Sequence, residues 1–255
     1  MIKKLIKNTL FKHEFEELEN LKKENRILKH ENKKLQILNS SKDDIISAIS
    51  HEFKNPISII NGYIETILNN NLPEEMNNKF LQKIQKNSLR LSELIDRLYL
   101  ITRLENNKIK IKETKFDLCV VTKNIIESFN TDRIKLNCEK TLVFADKTLI
   151  ETVIYNLISN AIKYSQRDIF INIINNNFEV IDQGKGISEK DIKLIKEKFY
   201  RSAKNEWDNS LGLGLAIVEK ILNLHNTTLE IESKKNKGSK FYFDITSLKN
   251  MEQKQ

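Results

Sequence analysis

Proline and glycine are scarce in this 255-residue chain, two and six respectively, and a fully β fold with its many tight turns is thereby excluded. Heavy use of Lys, Glu, Asn, Ile and Leu favours long helices instead. No run approaches the roughly 18 apolar residues that a membrane span requires, so no transmembrane segment is expected in this chain. The two cysteines, Cys119 and Cys138, stand alone without CxxC spacing and without a preceding signal peptide. They read as reduced thiols of a cytoplasmic protein. The net charge of +8 raises nucleic acid as a partner. Its basic residues are interleaved with acids, however, and there is no basic block with interleaved aromatics, no zinc-ligand spacing and no RNP-like motif. Nucleic-acid binding is set aside on those grounds. What remains, with 39% apolar residues, suffices for one or two cores and a helical extension.

A heptad register begins at Phe11. Phe11, Leu18, Asn25, Asn32 and Asn39 occupy a, and Leu21, Leu28 and Leu35 occupy d, with Glu14 the one breach. Leucine at d with asparagine at a is the pattern of a parallel two-stranded coil, because a buried amide pairs best with its twin across a dimer axis. A homodimer is the expectation. Residues 1–12 carry four lysines and no acid, with Ile2, Leu5, Ile6 and Leu10 on one helical face. That start is either a frayed helix end, the reading preferred here, or a contact with an anionic membrane surface.

Carried forward, the register puts Ile46, Ile49, Phe53 and Ile60 on the seam and turns His51 outward, along with Ser47, Lys54, Asn55 and Ser58. Pro56 has no N–H for the carbonyl of Glu52, so a bend is expected one turn after the histidine. Asn69 to Pro73 reads as a turn, and a second helix follows to about Glu105 with Leu81, Ile84, Leu91, Ile95 and Leu98 on one side. Two such hairpins make a four-helix bundle.

The polar stretch 106–115 marks a domain boundary. Beyond it helical and strand periods mix: helices over Phe116–Phe129, Lys147–Tyr164 and Leu213–Leu224, and strands over Arg133–Cys138, Leu142–Ala145, Asp168–Ile174, Phe178–Ile181, Thr228–Glu232 and Phe241–Ile245. Asn175 to Asn177 forms a hairpin turn, and 187–211 is irregular or lid-like. The expected fold is α+β: an N-terminal coiled coil (1–43), an antiparallel helical hairpin (44–108) and an α/β sandwich (112–248) with helices on one face of a mixed sheet.

The polar motifs carry chemistry. In SHEFKNP a neutral imidazole on an open face, His51, can act as a nucleophile toward phosphorus. Asn156 and Asn160, at i and i+4, can aim two amide oxygens at one Mg²⁺ with its waters and phosphates. Asp182 leads DQGKGIS, where a carboxylate can accept from an exocyclic amine of adenine while Gly184 and Gly186 admit the base closely. Gly212 and Gly214 open a helix whose N–H groups can meet phosphates, and Arg201 in EKFYRS can add charge as a lid closes. Bland readings stand beside these: a helix or core amide for Asn156, an Asx turn for Asp182, and idle surface histidines for His13, His30 and His225.

Taken in order, SHEFKNP, NLISNAIKYS, DQGKGIS, EKFYRS, LGLGLAIV and NKGSKF resemble the sensor histidine kinases of two-component signalling, over nearly everything after residue 40. The resemblance implies a dimerization and histidine phosphotransfer domain followed by a Bergerat-type ATPase domain. It implies that His51 is the phosphoacceptor, that Glu52 handles the proton of the other ring nitrogen, and that Asn55 places a water for the reverse, phosphatase reaction. It also implies Mg²⁺ and ATP at Asn156, Asn160, Lys163, Tyr164, Asp182, Gly184, Gly186, Arg201, Gly212 and Gly214, with Asn160 the direct metal ligand. The implied partners are a response regulator's receiver domain and an upstream sensor protein that delivers the signal. Ser210 stands where the family has a glycine, as does Asn236, and Lys240 replaces a threonine; 129–143 is shorter than usual. The rival reading is a dimeric nucleotide-binding scaffold, a pseudokinase, without turnover. A third, an ATPase or protein-serine kinase on the same nucleotide fold, lacks the histidine helix.

Overall fold

The structure, a computed structural model, describes residues 46–70, 72–106, 108–200 and 211–249. The heptad pattern over 11–39, the basic start, Arg201 and Ser210 lie outside the described residues. The chain divides into two compact units, Met1–His51 and Glu52–Gln255, with the division inside a helix, α1, that covers residues 46–69. Helix α2, Glu74–Glu105, starts directly after Pro73, where a fixed φ and a missing N–H suit a helix entrance. Helical structure continues through Pro56, which is itself buried. No described helix is long and apolar enough to cross a membrane.

The hairpin is sparsely sealed. Leu94, Ile101 and Leu104 are buried, whereas Ile57, Ile59, Ile64, Leu68, Leu81, Leu89 and Ile95 stay exposed. Phe53 and Ile60 are half-buried as the seam requires, but Ile46 is exposed. Glu52 takes a buried place that the seam did not assign to it.

Strand β1 (Glu113–Asp117), helix α3 (Leu118–Ser128) and strands β2 (Ile134–Cys138) and β3 (Leu142–Asp146) come next, then α4 (Lys147–Tyr164), β4 (Ile169–Ile174) and β5 (Asn177–Asp182). A one-turn helix α5 (Glu189–Ile192), α6 (Gly214–Leu224), β6 (Glu230–Lys234), β7 (Gly238–Asp244) and the short α7 (Thr246–Lys249) complete the described elements. The main sheet runs β2-β4-β5-β7-β6, parallel only between β2 and β4, and β1 pairs with β3 in a separate two-stranded ladder. The segment from Phe116, expected as helix, thus begins as strand. Its helix starts only after Asp117, whose carboxylate accepts from the N–H groups of Cys119 and Thr141.

Strand alternation builds the core. Ile169, Ile171 and Ile173 of β4, Phe178 and Val180 of β5, and Phe241 and Phe243 of β7 point inward, against α4 (Ile150, Ile154, Leu157, Ile158) and α6 (Ile217, Ile221). Each such side chain stabilises the fold by about 1.5–3 kcal/mol relative to exposure. The opposite face keeps Phe170 and Ile174 in water. The same alternation that buries Phe178 and Val180 also buries the last residue of β5, Asp182. A carboxylate is thereby placed under α4 at the end of the sheet.

The cysteines correct an expectation. Cys119 at the start of α3 and Cys138 at the end of β2 have Cα atoms 5.9 Å apart and are joined by a disulfide, so the structure does not hold them as reduced thiols. The two substituted positions of the family pattern that fall on described residues, Asn236 and Lys240, have local explanations. Asn236 sits at φ +63° in the β6–β7 turn, and asparagine tolerates that left-handed region better than other residues with a Cβ. Lys240 projects across the sheet to Glu179, with N···O at 2.8 Å.

Candidate functional site

One cavity collects most of the residues singled out by the motifs. Its wall includes Asn156, Asn160, Lys163 and Tyr164 from α4, Asp182 and Gly186 from β5 and its loop, and Gly212 and Gly214 at the start of α6. These come from three separated stretches that meet because α4 and α6 lie side by side over the buried face of the sheet. Cavities between elements with a few convergent polar groups are the usual form of a small-molecule site.

One end of the cavity is built around Asp182. Its carboxylate accepts from the Gly184 N–H at 2.7 Å and from the hydroxyl of Ser239. Burial raises its pKa above the usual carboxylate range, and the bonds from Gly184 and Ser239 oppose that rise. Gly184 does not line the cavity. A Cβ there would sit 2.1 Å from the carbonyl oxygen of Tyr164, so only glycine lets the loop pass beneath α4. Gly238, at φ +94°, makes the matching approach from β7, where a Cβ would lie 2.1 Å from the Asp182 carbonyl. The carboxylate is fixed from both sides by backbone that no larger residue could supply.

The other end is made by helix starts and amides. Helices α3, α4 and α5 each begin on a capping side chain, Asp117, Asp146 and Ser188. Helix α6 begins at Leu213 with no side-chain cap. Among the described residues its first N–H groups, at the cavity wall, have no side-chain cap, and the positive end of the helix favours an anion. Asn156 is buried, donates from Nδ2 to the Thr152 carbonyl at 2.8 Å, and turns Oδ1 toward Gly214. Asn160, one turn further on, is half-buried at the wall. Phe199 N–H donates to Gly212 O at 3.1 Å, so the stretch before the undescribed segment 201–210 is pinned to the one after it. Tyr200 lines the cavity and donates to Asp191 at 2.6 Å. That bond, with a second from Ser188, lowers the Asp191 pKa.

Several wall residues escaped the sequence reading. Lys185, inside DQGKG, holds its ammonium 4.5 Å from the Tyr164 ring centroid, and Lys163 holds its own at 5.1 Å. Ser239 belongs to NKGSKF, and Arg97 reaches the wall from α2. Among the described wall residues, Arg97, Lys163 and Lys185 stand against one carboxylate, Asp182. That balance suits a polyanion with an amine-bearing base. His225 has a task after all. Buried at the end of α6, it shares a hydrogen bond from Nδ1 with the Ile221 carbonyl at 2.8 Å, and its Nε2 accepts from the Asp146 N–H at 3.2 Å. It ties the end of α6 to the start of α4, the two helices that carry the amides and glycines.

The motif SHEFKNP lies on α1. His51 is exposed, Asn55 half-buried and Glu52 buried, with Arg90 of α2 donating to Glu52 Oε2 at 3.4 Å. No group of three or more His, Cys, Asp and Glu that could hold a metal ion occurs among the described residues. Among the described wall residues Asn156 and Asn160 offer amide oxygens, which with water and phosphates are common ligands of Mg²⁺.

Residues 41–107 match the family model described as His Kinase A (phospho-acceptor) domain. Residues 145–249 match that of the histidine kinase-, DNA gyrase B-, and HSP90-like ATPase. The phosphate regulon sensor protein PhoR of Haemophilus influenzae is 30% identical over 225 residues, 83% of this chain and 52% of that protein. The chain spans about half the length of the curated relatives it matches. Among solved structures, the Acinetobacter baumannii histidine kinase AdeS superposes with a TM-score of 0.61 at 26% identity, covering 78% of this chain and 98% of that one. Histidine kinase ThkA in complex with response regulator protein TrrA gives 0.56 at 25%, covering 78% and 60%.

Proposed function

The chain belongs to the histidine kinase family, with a phospho-acceptor domain followed by an ATPase-type domain, and from that premise we propose that it is a histidine autokinase of two-component signalling. ATP lies in the cavity with its adenine at Asp182 and its phosphates at the start of α6. The observation that carries this reading is the polarity of the cavity. A buried acceptor stands at one end and an uncapped helix start beside the Asn156 amide stands at the other, matching in order the base and phosphates of a nucleotide. Asp182 selects adenine over guanine because only adenine offers an amine at that position.

His51 attacks the γ-phosphorus through one ring nitrogen, the bond from phosphorus to the bridging oxygen breaks, and ADP leaves. The exposed ring is free to reach a donor, and Glu52 takes the proton of the other nitrogen by swinging away from Arg90. Asn160, with Asn156 beside it, would hold Mg²⁺, which would neutralise charge at the phosphates. Lys163 adds to that neutralisation, Tyr164 packs on the nucleoside, the backbone at Gly186, Gly212 and Gly214 admits base and phosphates, and Gly184 holds the Asp182 carboxylate in place. Arg201 adds charge over the terminal phosphate. Positioning and electrostatics are the main contributions, as in other phosphoryl transfers.

The phosphoryl group then passes to an aspartate of a response regulator docked beside His51, the kind of partner named in the ThkA–TrrA complex, and Asn55 positions water for its removal. A second copy of the chain covers the exposed apolar residues of the hairpin and completes a four-helix bundle. The proposal includes domain limits of 1–43, 44–108 and 112–248, with an upstream sensor protein engaging the first. Incubation with γ-labelled ATP and Mg²⁺ tests the proposal. The expected product is acid-labile, alkali-stable label on the native chain and none on His51→Ala. Equal label on both chains would end the autokinase reading.

A further inference from the structure

Helix α2 packs against α6, and its buried residues Leu94, Ile101 and Leu104 fall on one face by helical spacing. Arg97 belongs to that face, three residues after Leu94 and four before Ile101. A guanidinium in an apolar stripe is costly unless something there needs its charge. Arg97 is half-buried, and among the described residues it has no ion-pair partner. Glu151, across the groove, is taken by Lys147 at 3.7 Å.

Arg97 instead borders two hollows. It lines the nucleotide cavity, and it also lines the groove between α2 and α4, which shares Asn156 with that cavity. Its place is therefore at the Asn156 and α6 end, where the phosphates lie, and away from Asp182. The missing partner of a planar, always-charged guanidinium beside an uncapped helix start is an anion with oxygens to accept its N–H fork.

We infer that Arg97 of the helical hairpin is a phosphate ligand of the nucleotide, so that a bound nucleoside triphosphate bridges α2 and the ATPase domain. This rests on the proposed nucleotide site. Its consequence is a dependence of that bridge on phosphate charge. ATP holds α2 on α6, and ADP does so less strongly. The ion pair of Lys198 with Glu105 is a separate tie between α2 and the stretch before 201, and it has no such dependence on the nucleotide.

The test is equilibrium binding of ATP, ADP and adenosine to the full chain and to Arg97→Ala and Arg97→Lys. The alanine variant is expected to lose about tenfold in ATP affinity, the size of one charge-assisted hydrogen bond. ADP should lose less and adenosine stay within about twofold, while the lysine variant keeps part of the ATP affinity. Removing a cation with no ion-pair partner among the described residues should leave the unfolding midpoint without nucleotide unchanged or raised. An equal loss for all three ligands, or none for any, would overturn the inference while leaving the nucleotide site intact. Failure of the native chain to bind ATP would remove both.

Discussion

The helical hairpin and the nucleotide domain solve the problem of burying apolar surface in opposite ways. In the nucleotide domain Ile154, Leu157, Ile158, Phe178, Val180 and Phe243 are all fully enclosed. In the hairpin, Leu81 and Leu89 are 54% and 60% exposed and line an open groove on α2. The first is a finished core able to hold a site in fixed geometry. The second leaves an apolar face open, which in the proposed dimer a second copy would cover.

The largest loss should come from cutting the finished core. Leu157→Ala is expected to cost about 3 kcal/mol in denaturant unfolding, transfer plus cavity. Next comes Asp182→Asn, which keeps an acceptor for Gly184 but sets an amide donor against the adenine amine. ATP affinity should fall about a hundredfold, or about 2.7 kcal/mol, in a binding titration. The sign of its stability effect is opposite. Because burial raises the Asp182 pKa, the folded state favours the protonated acid. The stability this group contributes is therefore full below the unfolded pKa and is lost as pH rises through the folded one. Asp182→Asn should unfold later than the native chain at neutral pH, and the gain should fade as pH falls through the carboxylate range.

A smaller loss, about 1–3 kcal/mol, is expected for His225→Ala, which leaves the Asp146 N–H without its acceptor between α4 and α6. Melting curves of the full chain would measure it. The smallest effect on the nucleotide domain should follow from Leu81→Glu with Leu89→Glu. Sedimentation should show two copies becoming one, while ATP affinity stays within about twofold. A coupled loss of affinity would erase the distinction between the two regions.

Much of this was legible beforehand, and the gaps have physical causes. Helix α4 was readable at both ends because Asp146 caps it and its apolar period is strong. The places of Asp182 and the glycines were readable because what sets them is local: a strand end, a close approach, a helix start. Strand β1 was not, because Glu113, Thr114 and Lys115 carry no apolar alternation and the strand exists only through its pairing with β3. The tasks of Arg90 and His225 depend on partners far along the chain, and Arg97 reaches the cavity wall only through the packing of α2. No local pattern announces those partners, although a cation inside the Leu94–Leu104 stripe was a signal available in the spacing. Cys119 and Cys138 were misread for the same reason, since only the packing of α3 beside β2 brings them together.

The central claim is that the finished domain donates a phosphoryl group and the unfinished one accepts it. ³¹P NMR of the full chain with Mg·ATP addresses that claim most directly, on native protein and on folded His51→Ala and Asn160→Ala variants. The account predicts an acid-labile phosphoramidate resonance in the native chain that is lost in both variants. Its persistence in His51→Ala would contradict the assigned acceptor, and its persistence undiminished in Asn160→Ala would contradict the assigned donor site.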